Sequence, residues 1–230
     1  MDRGVTLYDI RQPKPVRKVT LAMNSNQIAW NPYNPLMFAV ANEDYQTYLF
    51  NMRMLDHASK ILKGHVHAVM SCCFSPTGRK IVTGGYDKTL RIYDVHGNNN
   101  SNAANVYHTK RMQRVFGCQW SSDNKYIISA SDEMNIRVWK ANASERLGYL
   151  SASQKQSVNY KQALTKKYAN YHEIKRIAKH RHVSKHVLTQ TNQHRDIRTS
   201  TRKKERNKKI NIKEYSVVPA RQGMVVKEQQ

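Results

Sequence analysis

The feature that most constrains the fold is a phrase written four times: an acidic turn residue, then an aromatic residue closing a short apolar strand. Asp2 precedes Tyr8, Asp44 precedes Phe50 and Asp87 precedes Tyr93, each by six positions, and Asp132 precedes Trp139 by seven. The closing aromatics recur after 42, 43 and 46 residues. A second landmark keeps the same beat, at Trp30–Pro32, Phe74–Pro76 and Trp120–Ser122. A period in the low forties with about four short strands per unit is the pattern of propeller blades. The spacing therefore predicts a mainly β chain, a partial propeller of about three and a half blades over residues 1–150, followed by a basic helical extension over 151–230.

Charge separates the same two parts. The 230 residues carry 39 Lys and Arg against 16 Asp and Glu, a net +23. Of that excess, +15 falls in the last 80 residues. So dense a basic segment suits a polyanion such as nucleic acid, or a nuclear import signal. Cys72, Cys73 and Cys118 form neither a disulfide framework nor a Cys-x-x-Cys metal pair, which fits a reducing intracellular compartment. No segment approaches membrane-spanning length, and the first ten residues lack the basic lead and apolar run of a secretory signal. The Asn-x-Ser sequons at Asn99 and Asn142 then carry little meaning.

The third unit is the clearest: turn, strand, Pro-Thr-Gly turn, strand, Gly-Gly-Tyr-Asp turn, strand over Lys63–Val95. By analogy Gly4–Ile10 is the third strand of an earlier blade whose first two strands are absent, and Pro15–Leu21 its outer edge. The next blade runs through Gln27–Trp30, Met37–Ala41 and Thr47–Asn51, with an outer strand near Ser59–Leu62. The last uses Val115–Trp120, Tyr126–Ala130 and Asn135–Lys140, with Glu145–Leu150 as a weak outer strand. Asn98–Asn105 is a polar insertion. Ser151–Ser157 reads as a small polar linker. Beyond it Tyr160, Ala163, Leu164, Tyr168 and Tyr171 keep helical spacing, as do Ile174, Ile177 and Ala178. After about Gln190 the apolar spacing fails, and Arg202–Lys209 is a charge run expected to be helical only when bound.

His65, Thr83, Asp87 and Tyr93 occur in an order that could suggest a catalytic relay. The repeat context makes them a buried hydrogen-bond network typical of WD-type blades, which ties strands to the blade turn. The His65 equivalent is missing from the other blades, so those are expected to be held by packing. His172, His180, His182 and His186 lie among cations that would repel a divalent metal, so no metal site is expected. No phosphate-cradling glycine loop, carboxylate pair or nucleophile elbow occurs, so neither an enzyme nor a cofactor or small-molecule substrate is expected. Bases interleaved with His and Tyr suit contact with phosphates and unpaired RNA bases. The candidates for RNA contact are Lys166, Lys167, Lys175, Arg176, Lys179, Arg181 and Lys185, then Arg202, Lys203, Lys204, Arg206, Lys208 and Lys209. The bland alternative is an amphipathic helix packed on the propeller with its charges solvated.

Trp30–Arg53, His108–Gly148 and His172–His182 together resemble the WD-repeat proteins that carry the Sof (suppressor of fibrillarin) C-terminal domain. The resemblance implies a nucleolar scaffold of the small-subunit processome, supporting maturation of small-subunit rRNA. Its implied partners are pre-rRNA, a box C/D small nucleolar ribonucleoprotein and other processome proteins. Some such proteins also resemble substrate receptors of cullin-4 ubiquitin ligases, docking through an aromatic-Asp-x-Arg box. Tyr8-Asp9-Ile10-Arg11 matches that box with Tyr for Trp, and Phe50–Arg53 has Asn51 where Asp is wanted. Asp9, Arg11 and Arg53 are then the docking residues, unless each arginine pairs with a neighbouring blade. A third possibility is a generic protein-interaction platform whose basic tail serves import. A family member is expected to hold seven blades, roughly 290 residues, before the tail. Three and a half blades thus imply a truncated reading frame, or a half completed by itself or a partner.

Overall fold

The computed structural model describes residues 3–97, 102–146, 148–180, 183–212 and 225–229. Asp2, Arg181 and His182 lie outside them, as does much of the expected polar insertion. The strands fall where apolar residues alternate. The first sheet holds β1 (Gly4–Tyr8), β2 (Pro15–Leu21) and β14 (Val225–Gln229), in that order. The second runs β3 (Ser25–Trp30), β4 (Met37–Asn42), β5 (Thr47–Asn51) and β6 (Lys60–Leu62). The third runs β7 (Val69–Phe74), β8 (Lys80–Gly85), β9 (Leu90–Asp94) and β10 (Asn105–Tyr107); the fourth runs β11 (Val115–Trp120), β12 (Tyr126–Ser131) and β13 (Ile136–Lys140). Every pairing is antiparallel.

Alternation on a strand sends successive side chains to opposite faces, and the cores sit between sheets for that reason. On β4, Phe38 and Val40 join Val5, Val19 and Leu21 of the first sheet, whereas Ala39 and Ala41 join Cys72, Phe74 and Ile81 of the third. On β8, Ile81 faces the second sheet and Val82 the fourth, where Val115, Trp120 and Ile127 receive it. The four sheets thus stack face to face in chain order, an arrangement compatible with consecutive propeller blades.

Polar side chains step from each first strand to the next. Asn26 on β3 donates to the Val69 carbonyl at 2.8 Å, and the Gln27 carboxamide accepts the Cys72 amide at 2.9 Å. Ser71 on β7 accepts the Cys118 amide at 3.0 Å. Farther out, Lys60 reaches the Asp94 carbonyl at 2.7 Å, and Lys80 reaches the Asn142 carboxamide at 2.8 Å. Large apolar side chains are exposed at Ile28 and Trp30 on β3 and at Phe116, Ile128, Ile136 and Val138 on the fourth sheet.

The structure departs from the sequence reading at several elements. Pro15–Leu21 is a strand but not an edge, because β14 pairs along its free side. None of the described residues of Glu145–Leu150 is in a strand; Gly148 there takes φ +122°, outside extended geometry. Ser151–Ser157 is no linker. Ser151 caps α1 (Ala152–Lys167), its hydroxyl accepting the Gln154 amide while the Gln154 side chain accepts the Ser151 amide. Tyr168 ends α1 and Tyr171 begins α2 (His172–Lys179), so these aromatics pack on each other at a helix break, 5.6 Å between ring centroids. The charge run lies inside α3 (Lys185–Asn211), continuous over 27 residues. It holds neither Gly nor Pro and is rich in Lys and Arg, both good helix formers. None of the three helices is long and apolar enough to cross a membrane, among the described residues.

Residues 144–188 form one compact unit; residues 1–143 and 189–230 form the other. Most of α3 and β14 therefore group with the sheets, where the charge distribution places the division near residue 150. Close packing between sheets gives a direct test. A Cβ on Gly84 of β8 meets Val115 Cγ1 at 2.6 Å. Gly84→Ala is expected to lower stability by about 2 kcal/mol through overpacking, read from urea unfolding.

Candidate functional site

The third sheet carries the most concentrated polar chemistry. Asp87, in the turn between β8 and β9, is buried. His65 binds it through Nδ1 at 2.9 Å and meets Thr83 Oγ1 through Nε2 at 2.7 Å. Thr89 donates to Asp87 Oδ1 from its hydroxyl at 2.8 Å and from its amide at 3.2 Å. The Arg91 guanidinium lies 3.8 Å from Asp87 Oδ2. Burial alone would raise the Asp87 pKa, but His65, Arg91 and Thr89 together hold it at about 2. Tyr93 is fully buried beside these groups. A catalytic relay would need an exposed nucleophile, and Thr83 is fully buried.

The turn acid recurs with a local partner four residues on. In the second sheet Asp44 accepts the Gln46 amide at 3.1 Å and the Tyr48 hydroxyl. In the fourth, Glu133 accepts Ser131 at 3.1 Å and Arg137 Nε at 2.9 Å. Glu133 therefore stands where the repeat pointed to Asp132, and it precedes Trp139 by the same six positions as Asp44 and Asp87 precede their aromatics. Asp132 is exposed, and among the described residues it engages only through its backbone amide, to the Arg114 carbonyl. Each acid is followed by a residue at φ between 60° and 70°: Tyr45, Lys88 and Met134. Polar bonds thus occur in the second and fourth turns as well, where packing alone was expected. Trp139 Nε1 also donates to Ser129 at 2.8 Å.

The residues that match a docking box come together. Asp9, Arg11 and Arg53 line one groove of about 910 Å³ with Tyr8, Ile10, Trp30 and Met52. Asp9 Oδ1 accepts the Arg11 amide at 3.0 Å, and Asn51 Oδ1 accepts the Arg53 amide at 3.0 Å. Asn51 therefore builds the same local turn as Asp9, although it lacks the charge. The Arg53 carbonyl receives Arg17 Nη1 at 2.8 Å. Neither the Arg11 nor the Arg53 guanidinium has a hydrogen bond or ion pair among the described residues.

The basic candidates are exposed and spread over three helices. Lys166 and Lys167 form the last turn of α1; Lys175, Arg176 and Lys179 lie on α2. Lys185 begins α3, which also carries Arg202, Lys203, Lys204, Arg206, Lys208 and Lys209. Arg181 lies outside the described residues.

The sequence reading missed how α3 is held. Gln190, only 4% exposed, donates to the Asp87 carbonyl and accepts Arg91 Nη2 at 3.2 Å. A helical charge run is thereby fixed to the third sheet through the residues that hold its turn. It also missed a cationic stripe on α3. Arg195, Arg198, Arg202, Arg206 and Lys209 are three or four residues apart, so they share one side of the helix. The stripe was legible in that spacing; a lone Gln190 gave no signal.

Comparison with known proteins places these features. Residues 141–225 match a Sof1-like domain, and residues 57–94 and 105–140 match WD domain, G-beta repeats. The chain is 43% identical over 216 residues to a Xenopus laevis protein named DDB1- and CUL4-associated factor 13, covering 94% of this chain and 48% of that one. The Homo sapiens protein of the same name is 46% identical with the same coverage. Protein SOF1 of Saccharomyces cerevisiae is 39% identical over 226 residues, covering 98% of this chain and 45% of its own length. The chain thus spans about half the length of the curated relatives it matches.

A carboxylate whose folded pKa lies below its ordinary 3.8 contributes stability above that value and loses it as pH falls towards about 2. Asp87→Asn is expected to cost about 3 kcal/mol at pH 7, from breaking a buried, partnered charge. The difference from wild type should shrink as pH is lowered from about 4.5 to 2, read from urea unfolding at each pH. A penalty constant across that range would show that Asp87 acts through shape and not charge.

Proposed function

We propose that this chain, a member of the WD-repeat family that carries a Sof1-like domain, belongs to a non-catalytic scaffold for ribosome biogenesis in the nucleus and nucleolus. In this reading the stacked sheets make protein contacts within the small-subunit processome. The basic helices contact pre-rRNA and a box C/D small nucleolar ribonucleoprotein during maturation of small-subunit rRNA. The observation that carries it is the α3 stripe: exposed arginines and a lysine on a helix fixed to the third sheet by Gln190. From Arg195 to Lys209 the stripe runs about 21 Å at 1.5 Å per residue, enough to follow several phosphates of a strand. The helix is anchored before RNA arrives, so its ordering cost on binding is reduced.

The test is the salt dependence of binding to a labelled single-stranded RNA. Replacing Arg202, Arg206 and Lys209 together by Gln is expected to weaken binding and to lower the slope of log K against log salt by about 2, at roughly 0.7 per lost phosphate contact. An unchanged slope would remove the stripe from the RNA interface.

A second reading is favoured by the groove that unites Asp9, Arg11 and Arg53. Proteins named DDB1- and CUL4-associated factor 13 are similar to this chain, and two guanidiniums unpaired among the described residues, beside exposed Tyr8, Ile10 and Trp30, suit a partner with acidic and apolar surface. On this reading the chain presents nuclear substrates to a cullin-4 ligase. Arg11→Ala with Arg53→Ala is expected to weaken capture of purified DDB1 at least tenfold while leaving RNA affinity unchanged. Capture equal to wild type would set this reading aside.

A further inference from the structure

Between α3 and the second and third sheets lies a cavity of about 380 Å³. Its size is at the lower end of the roughly 300–1,000 Å³ typical of small-ligand pockets. Three nitrogen bases converge on it from two elements: Lys63 from the segment between β6 and β7, and His194 and Arg198 from α3. None of the three side chains has a hydrogen bond or ion pair among the described residues. Asp44, the one carboxylate among the described lining residues, is engaged by the Tyr48 hydroxyl and the Gln46 amide. The wall also holds the carboxamides of Gln46 and Asn102, which offer both donors and acceptors.

Tyr45 completes it. Tyr45 is 42% exposed, and its ring makes a T-shaped pair with His67 at 6.4 Å between centroids. Tyr45 sits at φ 70° in the turn position where Lys88 and Met134 stand in the next two sheets. A left-handed position disfavours a bulky side chain, so a tyrosine here costs backbone energy that the turn itself does not require. Arg198 belongs to the α3 stripe, so the cavity opens onto the cationic track that continues through Arg202 and Arg206.

We propose that this cavity holds one nucleotide of a single-stranded RNA, its backbone phosphate among Lys63, His194 and Arg198 and its base stacked on Tyr45. Gln46 and Asn102 then reach the base edge, and the strand continues along the α3 stripe. This rests on the RNA-contacting reading above and adds where the strand begins. The electrostatics agree. Partial burial, then Arg91, Arg198 and Lys63, hold the His194 imidazole below its ordinary pKa. The groups facing it are Lys63 and His65 before β7, Arg91 on β9, Asp44 in the β4–β5 turn and Arg198 on its own helix. A phosphate placed among these cations relieves that repulsion and raises the imidazole pKa.

The experiment measures anisotropy of a labelled ten-nucleotide single-stranded RNA with the full chain over a salt series, and follows the His194 resonance by NMR against pH. Tyr45→Asn keeps a residue that tolerates positive φ and removes the ring; it is expected to weaken binding about tenfold with the salt slope unchanged. Arg198→Ala is expected to weaken binding and reduce the slope by somewhat less than 1. RNA should raise the His194 pKa in wild type. If Tyr45→Asn and Arg198→Ala both bind as wild type while the Arg202, Arg206 and Lys209 variant weakens, the cavity is not the site and the RNA reading stands. If the wild type fails to bind RNA even at low salt, both readings fall. If inorganic phosphate shifts His194 as RNA does while Tyr45→Asn binds RNA normally, the cavity is an anion site only and the nucleotide is overturned.

Discussion

A single buried carboxylate organises this molecule. Asp87 is removed from water, and an isolated charge there would be prohibitive. It persists because His65, Thr89 and Arg91 converge on it. Each partner comes from a different place, so satisfying the charge fixes structure. His65 brings in the approach to β7, Thr89 closes the turn, and Arg91 carries the demand onward to Gln190 and so to α3. The helix that presents the cationic stripe is therefore positioned by the requirement that one carboxylate be satisfied. Sheets that lack such a charge have milder arrangements. Tyr48 serves Asp44, and Arg137 serves the half-buried Glu133.

Stacking of the sheets follows a different logic. Apolar burial is non-directional and fixes only that the faces meet. Direction comes from the side-chain-to-backbone steps at Asn26, Gln27 and Ser71, which set the first strands of successive sheets in register. Small residues then set the distance: Ala39 and Ala41 on β4 and Gly84 on β8 accept larger partners from the neighbouring sheet. Apolar contact supplies most of the cohesion and a few hydrogen bonds supply the geometry.

Much of this was legible in the sequence, and the failures have physical causes. The 43-residue beat located the strands of the second and third sheets, because alternation and turn residues agree there. It slipped by one residue at Asp132, since two adjacent acids offer the same signal and only Glu133 has Arg137 four positions on. Ser151–Gln154 was written in the sequence as a capping box but overshadowed by its small polar composition. β14 was not legible, because a strand that completes a distant edge takes its meaning from β2 and not from its neighbours. Gln190 was invisible for the same reason: its partners lie about a hundred residues earlier in the chain. The helical spacing of Arg195, Arg198, Arg202 and Arg206 is legible in the sequence, but as a period of charge and not of apolar residues.

The pairing of β14 with β2 bears on how the α3 segment responds to disturbance. Gln190 is held by the third sheet and Val225 by the first, with 34 residues between them. A segment moored at both ends behaves unlike a tail. When one mooring opens, the other keeps the freed end near its partner, at an effective concentration far above that of a separate chain. Transient release at either point is then followed by recapture rather than departure.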